Sequence, residues 1–198
     1  MPENYQKKLD TILDSLTATP RLLLHVCCAP CASYVLEYLT RYFDITLFFF
    51  NPNIDDASEY EKREAELHRL VQELPHQNEI DFLPARYDVN EFFKAAEGLE
   101  TAPEGGARCA NCFTLRLDET ARKAKEGSFD FFTTTLSISP HKNAELLNKI
   151  GNSLAEKYGV AHLPADFKKR GGYQRSIALS CEYSLYRQSF CGCSFSKR

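Results

Sequence analysis

Two short apolar runs limit the folds open to this chain more than any other feature: RLLLHV at Arg21–Val26 and ITLFFF at Ile45–Phe50. Each has the length of a buried strand and is followed by a different period. After the first, Val35, Leu36 and Leu39 recur at helical spacing over Ala32–Arg41. After the second, the turn Asn51-Pro52-Asn53 leads into a charged helix predicted over about Ser58–Leu74, with Ser58 and Glu61 as its capping box. Further strands are predicted at Ile80–Leu83, Phe131–Thr135 and Val160–Leu163, and helices at Asn111–Lys125 and Asn143–Tyr158. Asp88–Gly106 reads as a short helix and a glycine-rich loop. Strands alternating with helices predict an α/β fold: a mostly parallel, doubly wound sheet flanked by helices.

The 198 residues fit one domain, with residues 1–20 as a helical extension and a basic segment over residues 166–198. That segment carries seven Lys/Arg against two Asp/Glu, whereas residues 1–165 carry 17 against 25. A basic end on an acidic body suits a polyanionic partner on one face, or is merely a solvated lysine-rich surface. The opening MPENYQKKLDTILDSL lacks the apolar core of a signal peptide, and ITLFFF falls far short of the ~20 residues that span a bilayer. The expectation is a cytoplasmic protein with no membrane partner.

Eight cysteines in a reducing compartment read as metal ligands, redox thiols or filler rather than disulfides. Seven of them are grouped. Cys27, Cys28 and Cys31 follow the first strand in HVCCAPC, at the carboxyl edge where open parallel sheets bind ligands. Cys109 and Cys112, in RCANCF, sit three residues apart near the positive end of a predicted helix, where thiolates are favoured. Cys191 and Cys193 flank Gly192, which lets the backbone turn tightly. Cys181 stands apart in an apparent helix and reads as a buried, inert residue.

The count narrows the chemistry. Two closed zinc sites would need eight ligands, one more than the grouped cysteines supply. Four thiolates can hold a [4Fe-4S] cluster and leave three for a neighbouring metal with an open position. One cluster plus a thiol pair, or zinc with spare cysteines, fits the count as well. Cys28-Ala-Pro-Cys31 alone could pass for a thiol–disulfide redox pair.

The blocks LLLHVCCAPC, FFFNPNI with EYEKR, RCANCFTLRL, FTTTLSISPHKN, DFKK with GGYQRSIALS, and YRQSFCGCSFS run in order from about Leu22 to Ser196. Taken together they resemble the QueH epoxyqueuosine reductases. The resemblance implies a Rossmann-like fold related to PP-loop and HUP domains, with the C-terminal cysteine-bearing segment closing over the site. The loop CCAPCAS lacks the Ser-Gly-Gly run that would cradle phosphate, so ATP use is not supported. Also implied are a [4Fe-4S] cluster, an additional mononuclear iron, no cobalamin and an external electron donor. The implied reaction removes the epoxide oxygen of epoxyqueuosine in the anticodon loop of tRNA.

On this resemblance the metal ligands are Cys27, Cys28, Cys31, Cys109, Cys112, Cys191 and Cys193. Because adjacent residues point in different directions, Cys27 is expected on the cluster with Cys109, Cys112 and Cys191, and Cys28 on the single iron with Cys31 and Cys193. Tyr34, His141 and Asp166 are the candidate proton donors. His25, within the first strand, reads as structural. Arg63, Arg116, Lys142, Arg175 and Arg187 are the candidate tRNA contacts, against the plainer reading of surface salt bridges. Asn51 and Asn53 read first as turn-formers. Two other readings stay open: an iron–sulfur tRNA sulfur-transferase and a zinc-stabilised RNA-binding module.

Overall fold

A computed structural model describes residues 3–197. Among them, strands β1 (Arg21–His25), β2 (Asp44–Phe48), β3 (Ile80–Leu83), β4 (Phe131–Thr134) and β5 (Ala161–His162) form one sheet in the order β3-β2-β1-β4-β5. Every pairing is parallel. Buried on both faces, the strands alternate between two cores. Leu22, Leu24, Ile45 and Leu47 point to one, and Leu23, Phe48 and Phe132 to the other. Helices α1 (Tyr5–Ser15), α2 (Ala29–Leu39) and α3 (Ala57–Glu73) cover the first core through Leu9, Leu13, Val35, Leu36, Leu67 and Leu70. The second core is covered by α5 (Ala107–Glu126) and α6 (Ala144–Tyr158), through Phe113, Leu117, Ala121, Leu147 and Leu154. Helix α4 (Val89–Ala96) packs on α5, and α7 (Gly172–Glu182) on α2.

The strand order fixes where a ligand can enter. The chain steps outward from β1 to β3, then returns to the other side of β1 with β4 and β5, so the order reverses between β1 and β4. Loops leaving the carboxyl ends of those two strands diverge and leave a crevice. Cys27 follows β1 there, and Thr135 follows β4.

The predicted elements appear, with different ends. Helix α3 is capped by Asp56, whose Oδ1 accepts from the amides of Ser58 at 3.0 Å and Glu59 at 3.2 Å, so Ser58 lies inside the helix and does not cap it. Helix α5 begins four residues earlier than Asn111, at Ala107, which puts Cys109 and Cys112 inside it. Cys181 is exposed in the last turn of α7, not buried. No helix among the described residues is long and apolar enough to cross a membrane.

Glycine is required inside α6. A Cβ at Gly151 would stand 2.3 Å from Nε2 of His162, whose ring packs on Phe132. The ~1 kcal/mol that glycine costs a helix relative to alanine therefore secures the contact between α6 and β5.

Candidate metal centre

The turn from β1 into α2 gathers three thiols. Cys28 is the N-cap of α2 in an extended conformation (φ −174°, ψ 160°), and Cys31 is the third helical residue. N-cap and third position face each other across the first turn, which is the capping-box spacing. The sulfurs of Cys27, Cys28 and Cys31 all lie within 4.8 Å of one another. Those of Cys27 and Cys28 are 3.8 Å apart, about the edge of a tetrahedron with metal–sulfur bonds of ~2.3 Å. The expected separation of Cys27 from Cys28 is thus not what the backbone produces. The strand ends at His25, and the turn brings both side chains to one point.

A second set forms opposite. Cys112 and Cys193 are buried together with Phe92 and Ala96, and Cys109 lies one helical turn before Cys112. The amide of Gly105 donates to Cys109 Sγ at 3.2 Å. Cys191 and Cys193 are held on a loop pinned to the turn after β2. The amide of Ser194 donates to the Asp55 carboxylate at 2.6 Å, and the amide of Asp55 to the Gly192 carbonyl at 3.4 Å. Gly192 has φ +128°, and a Cβ there would come within 2.9 Å of Ile54.

The charged face of α3 seats this C-terminal segment. Glu59, Arg63, Glu66 and Arg69 recur at helical spacing along it. Arg69 donates to the Tyr183 carbonyl at 3.0 Å, Glu66 accepts from the Tyr186 amide at 2.6 Å, and Glu59 accepts from the Tyr186 hydroxyl at 3.0 Å. Arg63, ion-paired to Glu59 at 2.7 Å, donates to the carbonyls of Cys191 at 3.1 Å and Phe190 at 3.4 Å.

A cavity of about 320 Å³ opens beside the triad, walled by Cys27, Cys31, Cys191, Lys142, Arg116 and Gln188. Arg116 is 1% exposed. It donates to Asn51 Oδ1 at 2.6 Å and to His25 Nε2 at 3.3 Å, and its Nη1 lies 3.9 Å from Cys112 Sγ. Asn51 in turn donates to the Val26 carbonyl at 2.9 Å. His25 meets the Thr134 hydroxyl at 2.8 Å; burial, then the nearby guanidinium, pushes its pKa down to about 3, so the ring is neutral. Among the described residues Arg116 has no carboxylate partner, and neither has Lys142. Arg116 is buried and Lys142 half-buried, and cations withdrawn from water require anions nearby. The groups that face these two are cysteine sulfurs: Cys27, Cys112 and Cys191 for Arg116, and Cys191, Cys27 and Cys31 for Lys142. Hydrogen bonds from Cys28 and Cys31, followed by Arg116 and Lys142, hold the Cys27 thiol well below its ordinary range.

A thiol-rich, cation-backed pocket of this kind fits a metal bound through sulfur. The three-sulfur set has the span of one ion, and the second set has an amide directed at Cys109 and a guanidinium at Cys112.

A family model described as epoxyqueuosine reductase QueH matches residues 22–198. The chain belongs to the QueH family. It is therefore an oxidoreductase by membership. A relative from Streptococcus pyogenes serotype M1, named epoxyqueuosine reductase QueH, is 42% identical over 198 residues, covering 99% of this chain and 78% of that protein. One of the same name from Staphylococcus epidermidis is 41% identical, covering 97% of this chain and 84% of its own. The QueH of Thermotoga maritima is 36% identical, covering 88% of this chain and 89% of its own.

The other expected site residues divide by location. His141, Lys142 and Arg187 line the cavity with the cysteines, as do Arg63 and Arg116, although these two arginines are engaged by internal partners. Tyr34 does not line it: its ring stacks on Tyr38 at 5.9 Å and abuts Gly172. Asp166 pairs with Lys168 at 2.7 Å and lines a different depression, beside Asn4 and Tyr5. Arg175 pairs with Glu37, Nε donating at 3.0 Å, on the outer side of α7. Sequence reasoning missed Glu66, and it gave Glu59 and Gln188 no role of their own although both stand inside the motif blocks. Gln188 had one available signal, its place three residues before Cys191.

Proposed function

We propose that this chain reduces epoxyqueuosine to queuosine in the anticodon loop of tRNA, in the cytoplasm, with electrons from an external donor. Family membership and one structural observation support this: two cations without carboxylate partners among the described residues, buried Arg116 and half-buried Lys142, face cysteine sulfurs at a cavity by the sheet's switch point. The reaction takes up two electrons and two protons, breaks both carbon–oxygen bonds of the epoxide, forms the ring double bond and releases water.

In this reading Cys27, Cys28 and Cys31 hold a single iron, and Cys109, Cys112, Cys191 and Cys193 hold a [4Fe-4S] cluster. When bound, these groups supply the electrons and a Lewis-acidic position. The chain supplies the rest. Arg116 and Lys142 balance the thiolate charge at low dielectric. His141, on the cavity wall, is the proton donor we assign, since Tyr34 and Asp166 are engaged elsewhere. Arg187, exposed at the cavity, and the basic residues around it meet the tRNA backbone.

The test is anaerobic purification, iron, sulfide and zinc analysis, then incubation of the reduced protein with tRNA carrying epoxyqueuosine. The expected result is iron with sulfide and a nucleoside lighter by one oxygen atom. Zinc without sulfide, and a nucleoside of unchanged mass, would leave an RNA-binding module and end the reductase reading.

A further inference from the structure

Gln188 stands out among the cavity residues because its carboxamide oxygen is unused. Oε1 is buried and has no hydrogen-bond partner among the described residues. The residue nevertheless forms part of the wall of the thiol-lined cavity. A buried acceptor left unmade is unfavourable, and native structures rarely keep one without a reason. The position is also constrained: Gln188 lies between Tyr186, held by Glu59 and Glu66 of α3, and the Phe190 and Cys191 carbonyls held by Arg63.

We infer that Gln188 is a specificity residue whose carboxamide oxygen accepts a hydrogen bond from an O–H or N–H on the modified end of the nucleoside. The inference rests on the proposed reaction. The epoxide oxygen carries no proton, so it cannot be the group that Oε1 receives. The partner is a donor beside it, and the bond sets the reducible carbon–oxygen bonds against the thiol triad. A site built to pair with a polar group rejects an analogue without it far more strongly than an apolar pocket can.

The experiment uses metal-loaded wild type and Gln188→Met, which keeps the side-chain length and removes the carboxamide. Each is titrated with two tRNAs, one carrying epoxyqueuosine and one carrying unmodified guanine at the same position. Wild-type protein is expected to prefer the modified tRNA, and Gln188→Met to lose about tenfold or more of that preference, with KM raised more than kcat is lowered. Each ratio is taken within one protein, so a shared loss of metal or of folded sites cancels. Gln188→Leu provides the same comparison should the methionine variant not fold. A variant that keeps the wild-type preference, or weakens equally toward both tRNAs, overturns the inference. Wild type that turns over no modified tRNA refutes the proposed reaction instead.

Discussion

Arg63 donates from Nη1 to the main-chain carbonyl of Cys191 at 3.1 Å, joining α3 to the loop that carries the last two grouped cysteines. The guanidinium is 1% exposed and its carboxylate partner Glu59 12% exposed, so the bond is made at low dielectric. Removing one member of such a pair leaves a buried charge, at a cost of about 3 kcal/mol. Arg63→Met is therefore expected to lose about that much in urea unfolding. It should also retain less sulfide per chain than wild type, because Cys191 and Cys193 lose their seat.

Gly192→Ala tests the same loop from the other side. The substitution demands φ +128° of an alanine and drives its Cβ to 2.9 Å from Ile54. The expected outcome is a fall in bound sulfide with little change in α-helical circular dichroism. Unchanged iron and sulfide would mean that the loop is not part of the metal centre.

The cysteines themselves separate the competing chemistries. Cys31→Ser and Cys112→Ser should each lower the iron content, because Cys31 belongs to the triad and Cys112 to the second cysteine set. Cys181→Ser should leave iron and activity at wild-type levels, its side chain being exposed on α7. A thiol–disulfide mechanism predicts instead that Cys112→Ser is mild.

Acid stability follows from His162. Burial pushes its pKa down to about 4, against about 6.5 when unfolded, so the folded protein holds it neutral. Its contribution is intact above pH 6.5 and is lost as pH falls from 6.5 toward 4, where only the unfolded chain takes up the proton. The loss amounts to about 3 kcal/mol at 1.36 kcal/mol per pKa unit. Urea unfolding at pH 7 and pH 4.5 should show a smaller drop for His162→Gln than for wild type.

The neighbouring packing gives a prediction at neutral pH. Gly151→Ala places a methyl carbon 2.3 Å from the His162 ring and should destabilise by about 2 kcal/mol, despite alanine's better helix propensity. Combining it with His162→Ala, which makes room for the methyl group, should cost less than the sum of the two single changes.

Much of this was legible in the chain. Arg21–Val26 and Ile45–Phe50 are apolar runs of strand length, and their alternation with helical segments predicted the parallel sheet that forms. The position of HVCCAPC after the first strand placed its thiols at the ligand-binding edge, where they lie. Periodicity is a local property, and these conclusions drew only on local information.

What the tertiary structure alone decided involves partners far apart in sequence, or backbone turns that carry no period. Side-chain alternation separates Cys27 from Cys28 only while the chain is a strand, and the strand ends two residues earlier. The arginines of the motif blocks looked alike as candidate RNA contacts, yet burial divided them: Arg116 faces the sulfurs, Arg63 holds the Cys191 loop, and Arg175 pairs with Glu37 on the outside. Sequence sets which side chains carry charge. Only packing sets the dielectric around each charge and the partner within its reach, and these determine what the charge does.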